Sequence, residues 1–476
     1  MLVIAEIVSY LLNYLKSLVY VQSHHNENLL LFYNEIHGKI CMRNFLTEVI
    51  DMLKSFQICN FNSIKDPIVF SMEPVNELTE HLDYITRLDE ETELLKVASI
   101  YGPNASGKSN LLHALQFVQD FVGGRLSREN PRLRFAYNNS YAPFEFTDKK
   151  DNQVKVSLVF SRENREFWYR FTAEYLDEGP AILKIIDEYF AIRTIGEKTY
   201  NNVFSRDNNG ISANRILEII GASRLPISND MALLRHLYVT YIDLEEENKA
   251  ALPKDVHLDY IRELFDEIRS ITLLDRLSDM PSRVFRYNGN IILKNKQFII
   301  ESLKRLDIHI TDIDVREIGQ RDFQVFCIHE VNGIVYELRL EQESQGTSLL
   351  IYLLSMIASR RNRPTIFLID ELDSHLHPKL VSEIISLFNS KLNIYNQLIF
   401  NSHDMWNMVP EQFRRDQVWF TCRNDQLATE LICLSDIVNY KGERIRKDAK
   451  YSKQYMEGKY GADPFIRKGL DWNELL

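Results

Sequence analysis

The stretch GPNASGKS, Gly102 to Ser109, fits the phosphate-binding loop pattern GxxxxGK(S/T) and stands in the setting that pattern needs. Before it, Lys96-Val97-Ala98-Ser99-Ile100-Tyr101 reads as a strand. After it, Asn110 to Val118 is apolar at helical spacing. A strand, a Gly-bearing loop and a helix start gather backbone N–H groups and the positive end of a helix dipole around one anion. Gly102, Pro103, Asn104, Ala105, Ser106, Gly107 and Asn110 supply the cradle. Lys108 is placed to reach the β- and γ-phosphates, and the Ser109 hydroxyl to hold Mg²⁺. A plain Gly-containing surface turn leaves the flanking strand and helix unexplained. The pattern predicts a bound nucleotide.

Bulk composition sets the frame around this loop. A chain of 476 residues has room for roughly three domain-sized units. With 45% hydrophobic and 26% charged residues it has the balance of a globular protein rather than a disordered one. Cys41, Cys59, Cys327, Cys422 and Cys433 are scattered without a CxxC pair, so they read as reduced thiols, not as a zinc site or disulfide framework. A net charge of −11 argues against a surface built for indiscriminate nucleic-acid binding. The tail from Ile437 nonetheless holds nine Lys/Arg against six acids. It reads as a solvated face ahead of a binding patch, and nucleic-acid binding stays open. Met1 to Val21 is apolar but interrupted by Glu6, Asn13 and Lys16, with no basic leader or cleavage site. An amphipathic helix in a cytoplasmic protein, with no membrane span, is the expectation.

Along the chain, the core is expected to begin at Met52, where Met52 to Ile58 alternates as a strand and Asn60 to Asp66 forms a hairpin turn. Residues 1–51 read as a separate, mostly helical extension. Residues 52–230 carry the phosphate loop and further strand-like runs, Phe144-Glu145-Phe146, Val154 to Phe160 and Glu166 to Phe171, which suggest an antiparallel β-subdomain. Residues 231–311 read as a helical insertion, with Leu258, Ile261, Leu264, Phe265, Ile268 and Ile271 on one face. Strand-like Asp312 to Val315 and Val325 to His329 open a second half, 312–436, and 437–476 form the tail. The fold class is α/β: a mixed-sheet core with an antiparallel subdomain and a helical insertion lobe.

That second half supplies the chemistry the loop requires. Thr365-Ile366-Phe367-Leu368-Ile369 reads as a buried parallel strand delivering Asp370 and Glu371 at its C-terminal edge. Asp370 is expected near Mg²⁺, and Glu371 is expected to polarise the attacking water. More than half of the chain separates Lys108 from Asp370, so a large segment is inserted within one sheet. Late in that segment Ser344, Gln345, Gly346 and Thr347 open a helical run, a second anion-binding helix end. The tetrapeptide alone also fits an ordinary N-cap. Its place just before the acidic strand resembles the signature helix of ABC-type ATPases, which binds the γ-phosphate held by the other protomer. Leu372 to Pro378 resembles their D-loop. A metal reading of His375 and His377 lacks a third partner. The strand Gln397 to Phe400 delivers Asn401-Ser402-His403, where such enzymes keep a switch histidine. His403 is assigned that role.

Taken together, Phe61 to Lys65, GPNASGKSN, Glu343 to Thr347, LIDELDSHLHP, Asn401-Ser402-His403 and the tail Tyr451 to Pro464 resemble one bacterial group. This group is the AAA-family ATPases with ABC/RecF-like cores found in anti-phage defence and abortive-infection operons, including PARIS-system, RloA-like and AbiL-type ATPases. The resemblance runs from about residue 52 to 465. It implies an ABC-type P-loop head that binds and hydrolyses ATP with Mg²⁺ at a homodimer interface, alone or within a larger assembly of dimers. Lys108, Glu371 and His403 would act in catalysis, Ser109 and Asp370 on the metal, and Ser344 to Thr347 on the partner's nucleotide. Gln345 departs from the acid or small residue expected there. The Q-loop has no clear glutamine, and Tyr141 to Phe144 is the nearest candidate region.

The resemblance also implies a sensor or scaffold subunit that answers a phage protein trigger and controls a separate effector, a nuclease or toxin encoded nearby. The residues after His403 are too few for a Toprim nuclease domain, so a toxic activity is expected from a partner chain. The alternative is a RecF-like DNA-repair ATPase. A structural-maintenance ATPase lacks support because no long coiled coil lies between the motifs. The motif spacing also disfavours a transporter subunit.

Overall fold

The computed structural model describes residues 51–462, apart from 125, 127–140, 148–150, 163, 177–182, 213–228, 243–257, 275–280, 320–321, 362 and 440. The expected N-terminal extension, its amphipathic helix and the end of the tail therefore lie outside the described residues.

Apolar β-branched and aromatic runs build the central sheet. Its strands lie in the order Ile271–Leu274, Thr365–Ile369, Asn396–Asn401, Val97–Tyr101, Val418–Arg423, Thr429–Cys433. The first five are parallel and the last is antiparallel. Val97–Tyr101, Thr365–Ile369 and Asn396–Asn401 are buried at every position, as parallel strands covered on both faces must be. Their registers bring Ile369 opposite Phe400 and Asn401 opposite Ile100, so three strand ends arrive at one edge together. With the phosphate loop leaving that edge, this is the mixed α/β core of an ABC-type P-loop NTPase.

The second large sheet is antiparallel, with Asp51–Cys59 between Ile68–Ser71 and Gln153–Arg162, followed by Arg165–Tyr175, Leu183–Thr194, Asn201–Asp207 and Gly210–Ser212. Period-two alternation buries Val154, Val156, Leu158 and Phe160 on one strand and Phe167, Tyr169 and Phe171 on the next. Helix Lys108–Val122 packs against this face. The Phe121 and Phe171 rings lie 5.0 Å apart, and Phe61 and Phe117 5.3 Å apart. Each such ring contributes about 1.5–3 kcal/mol on burial. The phosphate-loop helix is therefore clamped along its length, which fixes its N-terminus.

Three local readings differ from the sequence expectation. Phe144-Glu145-Phe146 is not a strand. Its backbone bonds go to asparagine side chains instead of a ladder, with Ala142 N–H on Asn62 Oδ1 (3.0 Å) and Phe144 N–H on Asn60 Oδ1 (2.9 Å). Both asparagines adopt positive φ, which Asn tolerates through local hydrogen bonding. Ile271 does not continue the helical face. Helix Leu258–Ser270 stops one residue earlier, and Ile271 begins the edge strand beside Thr365–Ile369. The mostly helical segment thus lends one strand to the core. Finally, Asp312–Gly319 and Asp322–Val331 join a three-stranded sheet of their own with Ile334–Arg339, packed on helix Pro281–Arg305 through Ile292, Ile299, Ile313 and Val325.

Helix Leu233–Ile242 is held by an acid from the antiparallel sheet. Buried Glu188 accepts the N–H groups of Leu233 (2.7 Å) and Leu234 (3.0 Å), besides the Tyr169 hydroxyl (2.9 Å). Orphan donors at the helix start are satisfied by a long-range cap. Among the described residues, no helix is long and apolar enough to cross a membrane.

Candidate functional site

The phosphate loop leaves strand Val97–Tyr101 with backbone angles that glycine supplies. Gly102 has φ 151° and Gly107 φ 107°. A Cβ on Gly102 would stand 2.4 Å from the Thr421 carbonyl oxygen. One on Gly107 would stand 2.1 Å from Thr429 Oγ1. The loop is thus pressed against the last two core strands. Four hydroxyls hold it there: Ser106 Oγ meets Thr421 Oγ1 at 2.6 Å, Thr429 Oγ1 donates to the Ser106 carbonyl at 2.9 Å, and Ser63 Oγ meets Thr429 Oγ1 at 2.7 Å. Asn110 donates to Ser63 Oγ at 2.6 Å, so its amide faces the hairpin turn that begins the fold.

Lys108 caps the loop from inside. Its ammonium donates to the carbonyls of Gly102 (2.9 Å) and Pro103 (3.0 Å). Burial lowers its pKa, and the facing carboxylates of Asp370, Glu371 and Asp373 counter that shift. An ammonium held by two neutral carbonyls can exchange them for the oxygens of an anion.

Beside it, the Ser109 hydroxyl donates to Asp370 Oδ1 at 2.8 Å. Two hard oxygen donors at this separation fit Mg²⁺, which takes one or two protein oxygens and completes its shell with phosphate and water. Sequence reasoning passed over the side chain that arranges them. Asn401, fully buried at the end of its strand, donates its amide to Asp370 and lies 3.5 Å from Ser109 Oγ. Its other end accepts the Glu371 N–H at 2.6 Å. Glu371 is exposed and left-handed, φ 54°, a conformation that costs about 1–2 kcal/mol for an L-residue and persists where neighbours over-determine it. The only sequence signal for Asn401 was a polar residue closing a fully apolar run.

The turn from Leu372 to Pro378 connects the remaining pieces. The Asp373 carboxylate accepts the His403 N–H, with both oxygens at 3.3 Å, and the His403 ring stays exposed at the same edge. His377 Nδ1 accepts from Lys379 N–H and caps helix Pro378–Asn389. Among the described residues, no group of three or more His, Cys, Asp or Glu is arranged to hold a metal. Cys59, Cys327, Cys422 and Cys433 are free thiols.

Ser344 is the N-cap of helix Gln345–Arg360 and accepts the Thr347 N–H at 3.0 Å. Ser344 and Gln345 are exposed, which leaves this helix end open to solvent. A Cβ on Gly346 would meet the His375 carbonyl oxygen at 2.4 Å, so the helix start rests on the backbone of the Leu372–Pro378 turn. Glu343, just before it, pairs with His329 at 2.7 Å. Among the described residues, no hydrogen bond or ion pair joins Ser344–Thr347 to Gly102–Asn110.

The family described as "AAA domain, putative AbiEii toxin, Type IV TA system" matches residues 97–405, from the phosphate-loop strand to just past His403. The chain belongs to this AAA-domain family. Solved structures of ABC-type heads align with it at low identity. "SMC head domain from Thermotoga maritima" shares 16% identity over 80% of this chain and 98% of that one, with TM-score 0.37. The Smc head with an extended coiled coil bound to the C-terminal domain of ScpA, from Pyrococcus furiosus, shares 14% over 80% and 96%, with TM-score 0.37. The SmcHead bound to the C-winged helix domain of ScpA shares 15% over 80% and 96%, with TM-score 0.34. No curated protein matches the chain. The AAA-domain family places the chain among ATPases.

Proposed function

We propose that the chain is an ABC-type ATPase that binds ATP at Gly102–Ser109 and closes each site with Ser344–Thr347 of a second copy. One observation carries this reading. Ser109, Asp370, Asn401 and Glu371 converge at one sheet edge, while the helix end at Ser344 presents its N-cap to solvent and, among the described residues, makes no hydrogen bond or ion pair to its own loop. On binding, the Lys108 ammonium leaves the Gly102 and Pro103 carbonyls for the β- and γ-phosphates. Ser109 and Asp370 would hold Mg²⁺, which when bound would supply positive charge against the charge developing on the phosphates. Glu371, held by Asn401, orients the attacking water and accepts its proton. His403 contacts the γ-phosphate from the adjoining strand end, and the partner's helix N-terminus completes its coordination.

In the same reading the ATPase works in the cytoplasm as sensor and scaffold of an anti-phage, abortive-infection system. ATP-driven association controls a separate effector, a nuclease or toxin, after a phage protein trigger. The family's description, which names an AbiEii-type toxin, supports the setting; the resemblance of the motifs and tail to defence ATPases supports the role.

Two variants test the chemistry. Lys108→Ala is expected to abolish ATP binding. Glu371→Gln is expected to bind ATP and cut turnover by at least about 100-fold, as loss of the water-orienting group requires. Glu371→Gln turnover equal to wild type would remove Glu371 from the mechanism.

A further inference from the structure

We infer that the C-terminal segment forms a cleft that binds the phosphodiester backbone of a nucleic acid, without reading its sequence. The chain as a whole carries −11, yet residues 441–459 hold seven Lys/Arg against three acids. The fold gathers five of those cations, Arg444, Arg446, Lys450, Lys453 and Lys459, around one open cleft of about 1040 Å³. Positive charge concentrated in a concavity of an otherwise acidic protein focuses field there and draws in a polyanion.

The acids of the cleft are already occupied. Arg446 grips Asp448 with two parallel bonds of 2.9 Å, Lys459 pairs with Glu457 at 2.7 Å, and Glu443 accepts from Asn439 at 2.9 Å. Those bonds hold the Asp448 and Glu457 carboxyls below their ordinary range, so they stay ionised and paired. Lys450 has no acidic partner within 4 Å among the described residues, and Arg444 reaches only an outlying Glu77 at 3.5 Å. Net positive charge therefore remains for a ligand.

The character of the wall separates ligand classes. Among the described residues lining it, apolar groups come only from Val438, Ile445 and Ala449, with the amides of Asn439 and Gln454 between the cations. A protein partner is held chiefly by aromatic or large apolar anchors seated in pockets, and this cleft offers none. Sequence-tolerant stacking of bases needs aromatic platforms, which are also missing from the wall. What remains is the group set that contacts phosphate: Lys, Arg and side-chain amides. The floor is rigid. Tyr455 stacks on Phe420 at 5.3 Å, Tyr460 lies tilted against the same ring at 5.2 Å, and Tyr451 is fully buried.

The test uses the full chain and a fluorescent mixed-sequence oligonucleotide of about 20 residues, single-stranded and duplex, followed by anisotropy between about 50 and 200 mM salt. Binding that weakens steeply with salt is expected, and Lys450→Glu with Lys453→Glu should weaken it at least about 10-fold and lower the salt slope by about 2. Both residues are exposed, and no phosphate-loop residue lines their cleft, so ATP turnover without nucleic acid should match wild type, which also reports correct folding. The stronger of the two probes names the source, strand or duplex. Absence of binding at the lowest salt, unchanged affinity in the double variant, or equal competition by polyglutamate or inorganic phosphate would overturn the inference.

Discussion

The Asn401 side-chain oxygen accepts the Glu371 N–H at 2.6 Å, and the same side chain's amide donates to Asp370. One buried residue therefore sets both acids of the candidate site. Asn401 touches no reacting atom, so it is a positioning residue. Asn401→Ala should leave ATP affinity within a few-fold of wild type and lower kcat about 10–100-fold, the range for loss of an outer-shell partner. Equal losses in ATP affinity and kcat would instead mean that the site had collapsed. Steady-state turnover beside equilibrium ATP binding separates the two.

Gly346 makes a second prediction. A methyl group there would sit 2.4 Å from the His375 carbonyl, so Gly346→Ala must push the start of helix Gln345–Arg360 and the Leu372–Pro378 turn apart. ATP binding to the single chain should persist, because no described contact joins Gly346 to the phosphate loop. ATP-dependent association should fall at least about 10-fold, the equivalent of 1.4 kcal/mol. Sedimentation at matched ATP occupancy reads the difference.

Much of this site was legible in linear sequence, for a physical reason. A phosphate loop and a buried strand ending in acids each compress their chemistry into one short run. The residues that hold them do not. Ser63, Thr421 and Thr429 meet at the loop from both ends of the chain, and no local pattern joins them. Asn401 looked like the close of a strand because its role depends on the neighbouring strand's register. Ile271 continued a helical spacing by coincidence, and a run as short as Ile271–Leu274 has no periodicity that separates helix from strand. Phe144 to Phe146 alternated like a strand, yet the asparagines of a distant turn took its hydrogen bonds.

A buried acid gives a pH prediction. Burial, the facing Asp51 carboxylate and nearby Asp266 raise the Glu267 pKa, while Arg162 opposes the rise. A raised acid pKa means that the folded protein binds more protons than the unfolded chain at pH values above the unfolded value near 4.3. That contribution is therefore lost as pH rises through this window towards the folded value. Glu267→Gln removes the titration and keeps the shape. Its thermal midpoint should gain on wild type as pH rises above about 5. A difference that stays constant as pH rises would show that Glu267 does not titrate with folding.

The tail contributes stability through stacked rings. Tyr455 is buried on Phe420 and donates its hydroxyl to the Ala462 carbonyl at 3.0 Å. Tyr455→Ala should cost roughly 3–5 kcal/mol in denaturant unfolding, as aromatic-to-Ala changes in cores do. Tyr455→Phe loses only the hydrogen bond and should cost about 1 kcal/mol. Equal small losses from both would place the ring outside the cooperative core.

The central claim is that a second copy completes each nucleotide site. Its most direct test is the mass in solution of the Glu371→Gln protein, by sedimentation equilibrium, with and without saturating ATP and Mg²⁺. The proposed mechanism predicts that ATP at least doubles the mass and that Lys108→Ala added to the same chain abolishes the increase. A Glu371→Gln protein that binds ATP stoichiometrically and keeps its nucleotide-free mass would contradict it.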